Sequence, residues 1–129
     1  MVMAYQEDKG KSAFLKSFVY AFCGIVTSFK ERNMLVHYIV AVCIVAASAF
    51  FKLSTVEWLF VITCIAGVIA LEMVNTAIER VVDLNTDEFH QLAKEAKDLA
   101  AGAVLIYSLY SVIVGCIIFL PKVWNLISW

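Results

Sequence analysis

The placement of charge along this 129-residue chain leaves few folds open. Three windows carry no Asp, Glu, Lys or Arg: Asn33–Phe51, Trp58–Leu71 and Leu99–Leu120. The first and third, at 19 and 22 residues, are long enough to cross a hydrocarbon core of about 30 Å as helices. The middle window stops after 14 residues at Glu72, and carried on to Ile78 it reaches 21 residues with that single carboxylate inside. The expectation is an all-α membrane protein with three spans, the second holding a buried acid. Composition agrees, since only 16% of residues are charged and 63% are hydrophobic, against about 25% charged in a soluble domain. Too few polar groups remain to coat a soluble core of this size, which excludes an ordinary soluble enzyme. Five glycines and one proline exclude a collagen-like or disordered chain. A net charge of −1 supplies no basic field, so nucleic acid is not an expected partner.

Lys and Arg set the orientation. Lys9, Lys11, Lys16, Lys30 and Arg32 precede the first span, and Arg80, Lys94 and Lys97 lie at or after the end of the second. Lys52 and Lys122 are the two on the opposite side. Eight against two places the N-terminus and the 84–97 segment in the cytoplasm of a multi-pass cell-membrane protein. The first span begins too far into the chain, behind a long polar preface, to be a cleaved signal peptide. The whole of 1–129 reads as one membrane-embedded domain, with a surface helix over about 11–30 and spans over about 33–51, 56–82 and 98–120.

Residues 1–10 are polar and read as loose. Over the next twenty residues Phe14, Leu15, Phe18, Val19, Phe22, Val26 and Phe29 recur at helical spacing, with Lys11, Lys16, Ser17 and Thr27 among them. That pattern suits a helix lying in the headgroup plane, and a helix packed on the other spans is the alternative. Asn85 or Thr86 is placed to cap the last helix, with Asp87 and Glu88 at its positive end. Running from there to Leu120, where Pro121 would end it, that helix would be roughly 50 Å long at 1.5 Å per residue. It is longer than the bilayer core, so its first turns should project into water.

Chemistry concentrates in Leu71–Asp83, which reads LEMVNTAIERVVD. At 100° per residue Glu72, Asn75, Glu79 and Asp83 fall within an arc of about 80°, and Glu72 and Glu79 are about 10 Å apart along the axis. Glu72 is deepest and Asp83 nearest the interface. A carboxylate inside a span is costly and usually faces a polar interior with a partner. The stripe reads either as a functional site or as a polar seam between helices of an oligomer. Carboxylates near a membrane surface can hold Mg²⁺ together with substrate phosphates. A deeper one can accept or donate a proton. Glu31, just before the first span, adds an interfacial acid, and Lys94 and Lys97 face the same water layer. The set meets the needs of phosphoryl transfer, with a lipid-side acceptor at Glu72 and a water-soluble nucleotide at Glu79. No phosphate-binding glycine loop is present, so an ATP site would be unconventional. A proton-coupled carrier stays open on these residues alone, and either reading favours an oligomer.

The string Glu72-x-Val74-Asn75-Thr76-Ala77-Ile78-Glu79-Arg80-Val81-Val82-Asp83, followed by AKEAKDLAAGAV at Ala93–Val104, closely resembles the prokaryotic diacylglycerol kinase family. The resemblance covers nearly the whole chain. Glu31-Arg32-Asn33, Glu57-Trp58 and Ile118-Phe119-Leu120-Pro121-Lys122 look like its Gram-positive branch, where undecaprenol is the usual acceptor. The resemblance implies ATP-dependent phosphorylation of a lipid alcohol, undecaprenol or else diacylglycerol, with Mg²⁺ as cofactor. It implies Glu72 as catalytic base and Asn75 as its polar partner in the site. Glu79 and Glu31 match the metal-holding carboxylates, Asp83 a nucleotide-side acid, and Lys97 and Asp98 the pair on the ATP phosphates and nucleoside. It also implies a homotrimer with active sites shared between subunits. The family often carries Arg where this chain has Ala13, so Lys11 or Lys16 is expected to serve the nucleotide there.

Other positions read more plainly. His37 and His90 have no second His nearby and are not expected to bind metal. Cys23, Cys43, Cys64 and Cys116 form no C-x-x-C pair and read as small buried apolar residues. Ala100, Ala101, Gly102 and Ala103 suit tight packing against the acidic stripe. Trp58, Trp124 and Trp129 suit interfacial anchoring at the outer boundary. Arg80 is expected to snorkel to headgroups rather than contact nucleotide.

Overall fold

The hydrophobic windows become helices in the computed structural model, which describes residues 11–85 and 90–128. Among these are four helices and no strand: α1 (Lys11–Ser28), α2 (Arg32–Phe50), α3 (Thr55–Asn85) and α4 (Gln91–Ile127). The last three are each long and apolar enough to cross a membrane. α2 matches its charge-free window to within a residue at each end. α3 packs along α4 for much of its length and more briefly against α2.

α3 takes its place from one face. Its buried residues Val61, Cys64, Glu72 and Asn75 lie within about 80° of arc, so a single stripe faces its neighbours. The outer-hairpin half of that stripe is apolar. There Val61, Leu53 and Ile118 form the buried core, flanked by Ile44, Phe51, Trp58 and Phe119. The other half of the same stripe is acidic.

Two turn motifs fix the α2–α3 hairpin. Leu53 N–H donates to the Ser48 carbonyl at 3.2 Å and Lys52 N–H to the Ala49 carbonyl at 3.2 Å. This Schellman closure puts Lys52 in the left-handed region at φ 50°, where a residue with a Cβ costs roughly 1–2 kcal/mol. Ser54 then opens α3 as half of a capping box: its N–H reaches Glu57 Oε2 at 2.7 Å, while Glu57 N–H donates to Ser54 Oγ at 3.4 Å. Lys122 Nζ, 2.9 Å from Glu57 Oε1, ties the far part of α4 to the same turn.

Several expectations need correction. α4 does not stop at Leu120; it runs through Pro121 to Ile127, 37 residues or about 55 Å. Proline has a helix-compatible φ and removes one backbone bond, and apolar membrane helices tolerate that. α3 continues through Asn85, so that residue does not precede the last helix, and His90 occupies the α4 N-cap position without a side-chain cap. Thr86, Asp87 and Glu88 lie outside the described residues, as do 1–10 and Trp129, and so do the side chains of Lys11, Ala13 and Asn85. Cys64 is buried, but Cys23, Cys43 and Cys116 are exposed on the apolar exterior. The face of Gly102 meets open space rather than a packed helix. α1 is exposed from Phe14 through Val26 and is tied at its end, where the Ser28 and Tyr38 hydroxyls share a 2.7 Å hydrogen bond and Phe29 stacks on Tyr38.

The close approach of α3 and α4 depends on Gly67, where a Cβ would collide with the Tyr107 ring. The Tyr107 hydroxyl donates to the Thr63 carbonyl at 3.2 Å beside it. Gly67→Ala is expected to lower the thermal midpoint by an amount equivalent to about 1–3 kcal/mol of overpacking. Added to Tyr107→Ala, the same change should cost nothing further, and additive losses in the double variant would refute the contact.

Candidate functional site

The acidic half of the α3 stripe is graded by exposure. Glu72 is 4% exposed and Asn75 5%, Glu79 is partly buried, and the Asp83 side chain is 65% exposed. The gradient follows from helix geometry, since Glu72 and Asp83 lie about 16 Å apart along the axis. The inner pair therefore meets a dry interior and the outer acid meets water.

Hydrogen bonding within the stripe is incomplete in a specific place. Asn75 Nδ2 donates to Glu79 Oε1 at 3.3 Å, an i,i+4 contact that orients the Glu79 carboxylate. Asn75 Oδ1 is buried with no hydrogen-bond partner. Glu72 makes no hydrogen bond or ion pair with any described residue. Asn75 Oδ1 is thus a buried polar atom without a partner among the described residues, where such groups are nearly always satisfied.

Three ion pairs lie at the Asn85 end of α3 and the starts of α2 and α4. Arg80 binds Glu31 across 49 residues of sequence. Lys97 Nζ meets Asp83 Oδ1 at 2.7 Å, joining α4 to α3. Lys94 Nζ meets Asp98 Oδ2 at 2.7 Å within one turn of α4. Arg80 therefore does not simply run to headgroups, and Lys97 is held by Asp83 rather than paired with its neighbour Asp98. Glu31 is the N-cap of α2, yet its side chain makes no capping bond and reaches Arg80 instead. Nothing in the local sequence signals that contact. Lys16 lies exposed on α1.

Among the described residues no three His, Cys, Asp or Glu side chains converge as a ready-made metal site. Mg²⁺ does not require one, because it takes one or two protein carboxylates and completes its shell with water and substrate phosphate. The hard oxygen donors here, an oriented Glu79 carboxylate beside the orphan Asn75 Oδ1, fit that ion.

Beyond Glu72, toward the hairpin, an apolar cavity of about 490 Å³ lies between α2, α3 and α4. Val68 and Ile69, one turn from Glu72, are in its wall, with His37 and Ser108 among its few polar residues. An apolar slot one helical turn from Glu72 has the chemistry to hold a hydrocarbon chain.

Comparison with known proteins agrees with this chemistry. The family model for prokaryotic diacylglycerol kinase matches residues 19–119. The chain is 47% identical over 110 residues to the undecaprenol kinase of Bacillus subtilis, covering 84% of this chain and 89% of that protein. It is 39% identical over 114 residues to a diacylglycerol kinase of Synechocystis, covering 87% of this chain and 65% of the relative. A diacylglycerol kinase of Helicobacter pylori strain J99 is 36% identical over 101 residues, covering 76% of this chain and 77% of that protein. The chain belongs to the prokaryotic diacylglycerol kinase family, a family of lipid kinases.

A buried acid with no partner among the described residues should cost stability. Glu72→Met is expected to raise the thermal midpoint in micelles by several degrees while removing lipid phosphorylation. A drop in midpoint would mean that Glu72 is satisfied within the protein.

Proposed function

We propose that the chain transfers the γ-phosphate of ATP to undecaprenol, giving undecaprenyl phosphate, at a site on the cytoplasmic side of the cell membrane. The observation that carries the reading is Glu72, buried and unpartnered, beside the orphan Asn75 Oδ1. Such a pair needs a donor that arrives with the reactants, and an alcohol brought from the lipid supplies one. Identity to an undecaprenol kinase over most of both chains supports this acceptor over diacylglycerol.

In this mechanism Glu72 takes the proton of the lipid hydroxyl as that oxygen attacks the γ-phosphorus. The bond from the γ-phosphorus to the β–γ bridging oxygen breaks, and ADP leaves with the electron pair. Asn75 holds Glu79 in orientation through Nδ2 and offers Oδ1 to a donor carried by the substrate. Glu79 and Glu31 are the carboxylates that would hold Mg²⁺, which when bound would supply positive charge to offset that of the triphosphate. Asp83, Lys97 and Asp98 form the nucleotide side, with Lys16 of α1 approaching it from the surface. Burial of Glu72 keeps water from competing with the lipid alcohol as acceptor.

We place α1 in the headgroup plane and the N-terminus in the cytoplasm, following the eight-to-two distribution of Lys and Arg. We also assign a homotrimer with shared sites. The exposed face of α4 at Leu99 and Ala103, with nothing packed over Gly102, supports a neighbouring copy there.

Purified protein given labelled ATP, with undecaprenol and diacylglycerol in parallel micelles, tests the reading. Label should enter undecaprenol faster; preference for diacylglycerol reassigns the acceptor, and no lipid label with either favours a carrier. Glu72→Gln should lose nearly all turnover and keep ATP binding. Glu79→Gln should raise the Mg²⁺ concentration needed for half-maximal rate. Lys97→Ala should raise the KM for ATP, and an unchanged value would remove Lys97 from the nucleotide side.

A further inference from the structure

The acids placed around the metal and nucleotide are almost all occupied by bases. Glu31 holds Arg80, Asp83 holds Lys97 and Asp98 holds Lys94, while Glu79 alone takes a neutral partner, the Asn75 amide. A metal–nucleotide complex needs carboxylates for its metal and cations for its phosphates. Both sets are present, bound to each other.

Arg80–Glu31 is the pair built for exchange. It links α3 to the start of α2 rather than closing within one helix. Arg80 is 52% exposed and Glu31 34%, so solvent screens the pair and its contribution to stability is small. A phosphate meets the same planar guanidinium with two parallel charge-assisted hydrogen bonds and is the stronger partner. Arg80 follows Glu79 directly in sequence, so it projects from α3 about 100° around the helix from that acid and only about 1.5 Å along the axis. Glu31, for its part, has no role as a helix cap to keep it in place.

We propose that Arg80 is a triphosphate-binding residue that changes partner, holding Glu31 in the empty site and a nucleotide phosphate in the loaded one, with Glu31 thereby released to the metal. This rests on the kinase reading above. No covalent bond is made or broken in the exchange. Its signature is one of sign. Removing Glu31 leaves Arg80 free for the nucleotide, so it should strengthen binding of ATP without metal, whereas a merely structural ion pair gives the same loss from either side.

Equilibrium binding of ATP to the full-length protein in micelles, in EDTA and again in excess Mg²⁺, distinguishes these. In EDTA, Arg80→Ala should weaken ATP binding on the order of tenfold or more, as expected for loss of a charged hydrogen-bonding partner. Arg80→Lys, which keeps the charge but not the fork, should recover part of it. Glu31→Gln should tighten ATP binding in EDTA by a few-fold and weaken it in Mg²⁺. Equal affinity of the parent protein and Arg80→Ala overturns the proposal. So does weaker ATP binding by Glu31→Gln in EDTA, and this arm decides the matter even if Arg80→Ala fails to fold. A parent protein that binds no ATP under any condition defeats the kinase reading itself, whereas one that binds ATP but is matched by Arg80→Ala defeats partner exchange alone.

Discussion

An ionisable side chain inside an apolar helix, with no partner among the described residues, is the constraint on which the rest of this structure depends. Glu72 costs stability where it stands, by several kcal/mol on any membrane scale. The compensation is elsewhere on the same helix. At the far end of α3 the core of Val61, Leu53 and Ile118 is closed by the Ser54–Glu57 capping box and pinned by Lys122. Stability is concentrated toward the hairpin and chemistry toward the opposite end, so the costly groups are held by contacts that they do not share.

The grading of the acidic stripe suits reactants that come from two phases. A lipid alcohol cannot leave the hydrocarbon and a nucleotide cannot enter it, so the groups that serve them must differ in depth while remaining on one rigid element. On the function proposed above, a single helix would do this without any loop, since four residues on one face pass from 4% exposed at Glu72 to 65% at the Asp83 side chain. The Asn75–Glu79 bond couples the two ends, because the residue next to the buried acid also orients the carboxylate nearer the water.

Much of this was legible in the residues. The charge-free windows located the spans because hydrocarbon admits little else, and 100° periodicity placed Glu72, Asn75, Glu79 and Asp83 on one face because helix geometry is nearly invariant. What escaped was tertiary or locally overridden. The bond between Arg80 and Glu31 joins residues far apart in sequence, and no local pattern announces it. The Lys97–Asp83 contact likewise exists because α4 lies antiparallel against α3. Pro121 signals an ending in water, where a broken helix can be solvated; in an apolar setting the helix goes on, because its remaining carbonyls have no better partner. The run Ser54-Thr55-Val56-Glu57 did carry a readable start signal, and it marks the first turn of α3.

The notch at Gly67 reaches further than its own contact. With the Tyr107 ring seated over a residue that has no side chain, α4 is indexed against α3 like a rack against a stop. Changes in α4 length beyond Lys122, toward Ile127, leave this index and the Ile118 and Lys122 contacts alone. One residue inserted between Lys97 and Tyr107 would instead carry Lys97 about 1.5 Å along the axis and about 100° around it, away from Asp83. Length variation in proteins built this way should therefore accumulate past Lys122 and be scarce between Lys97 and there.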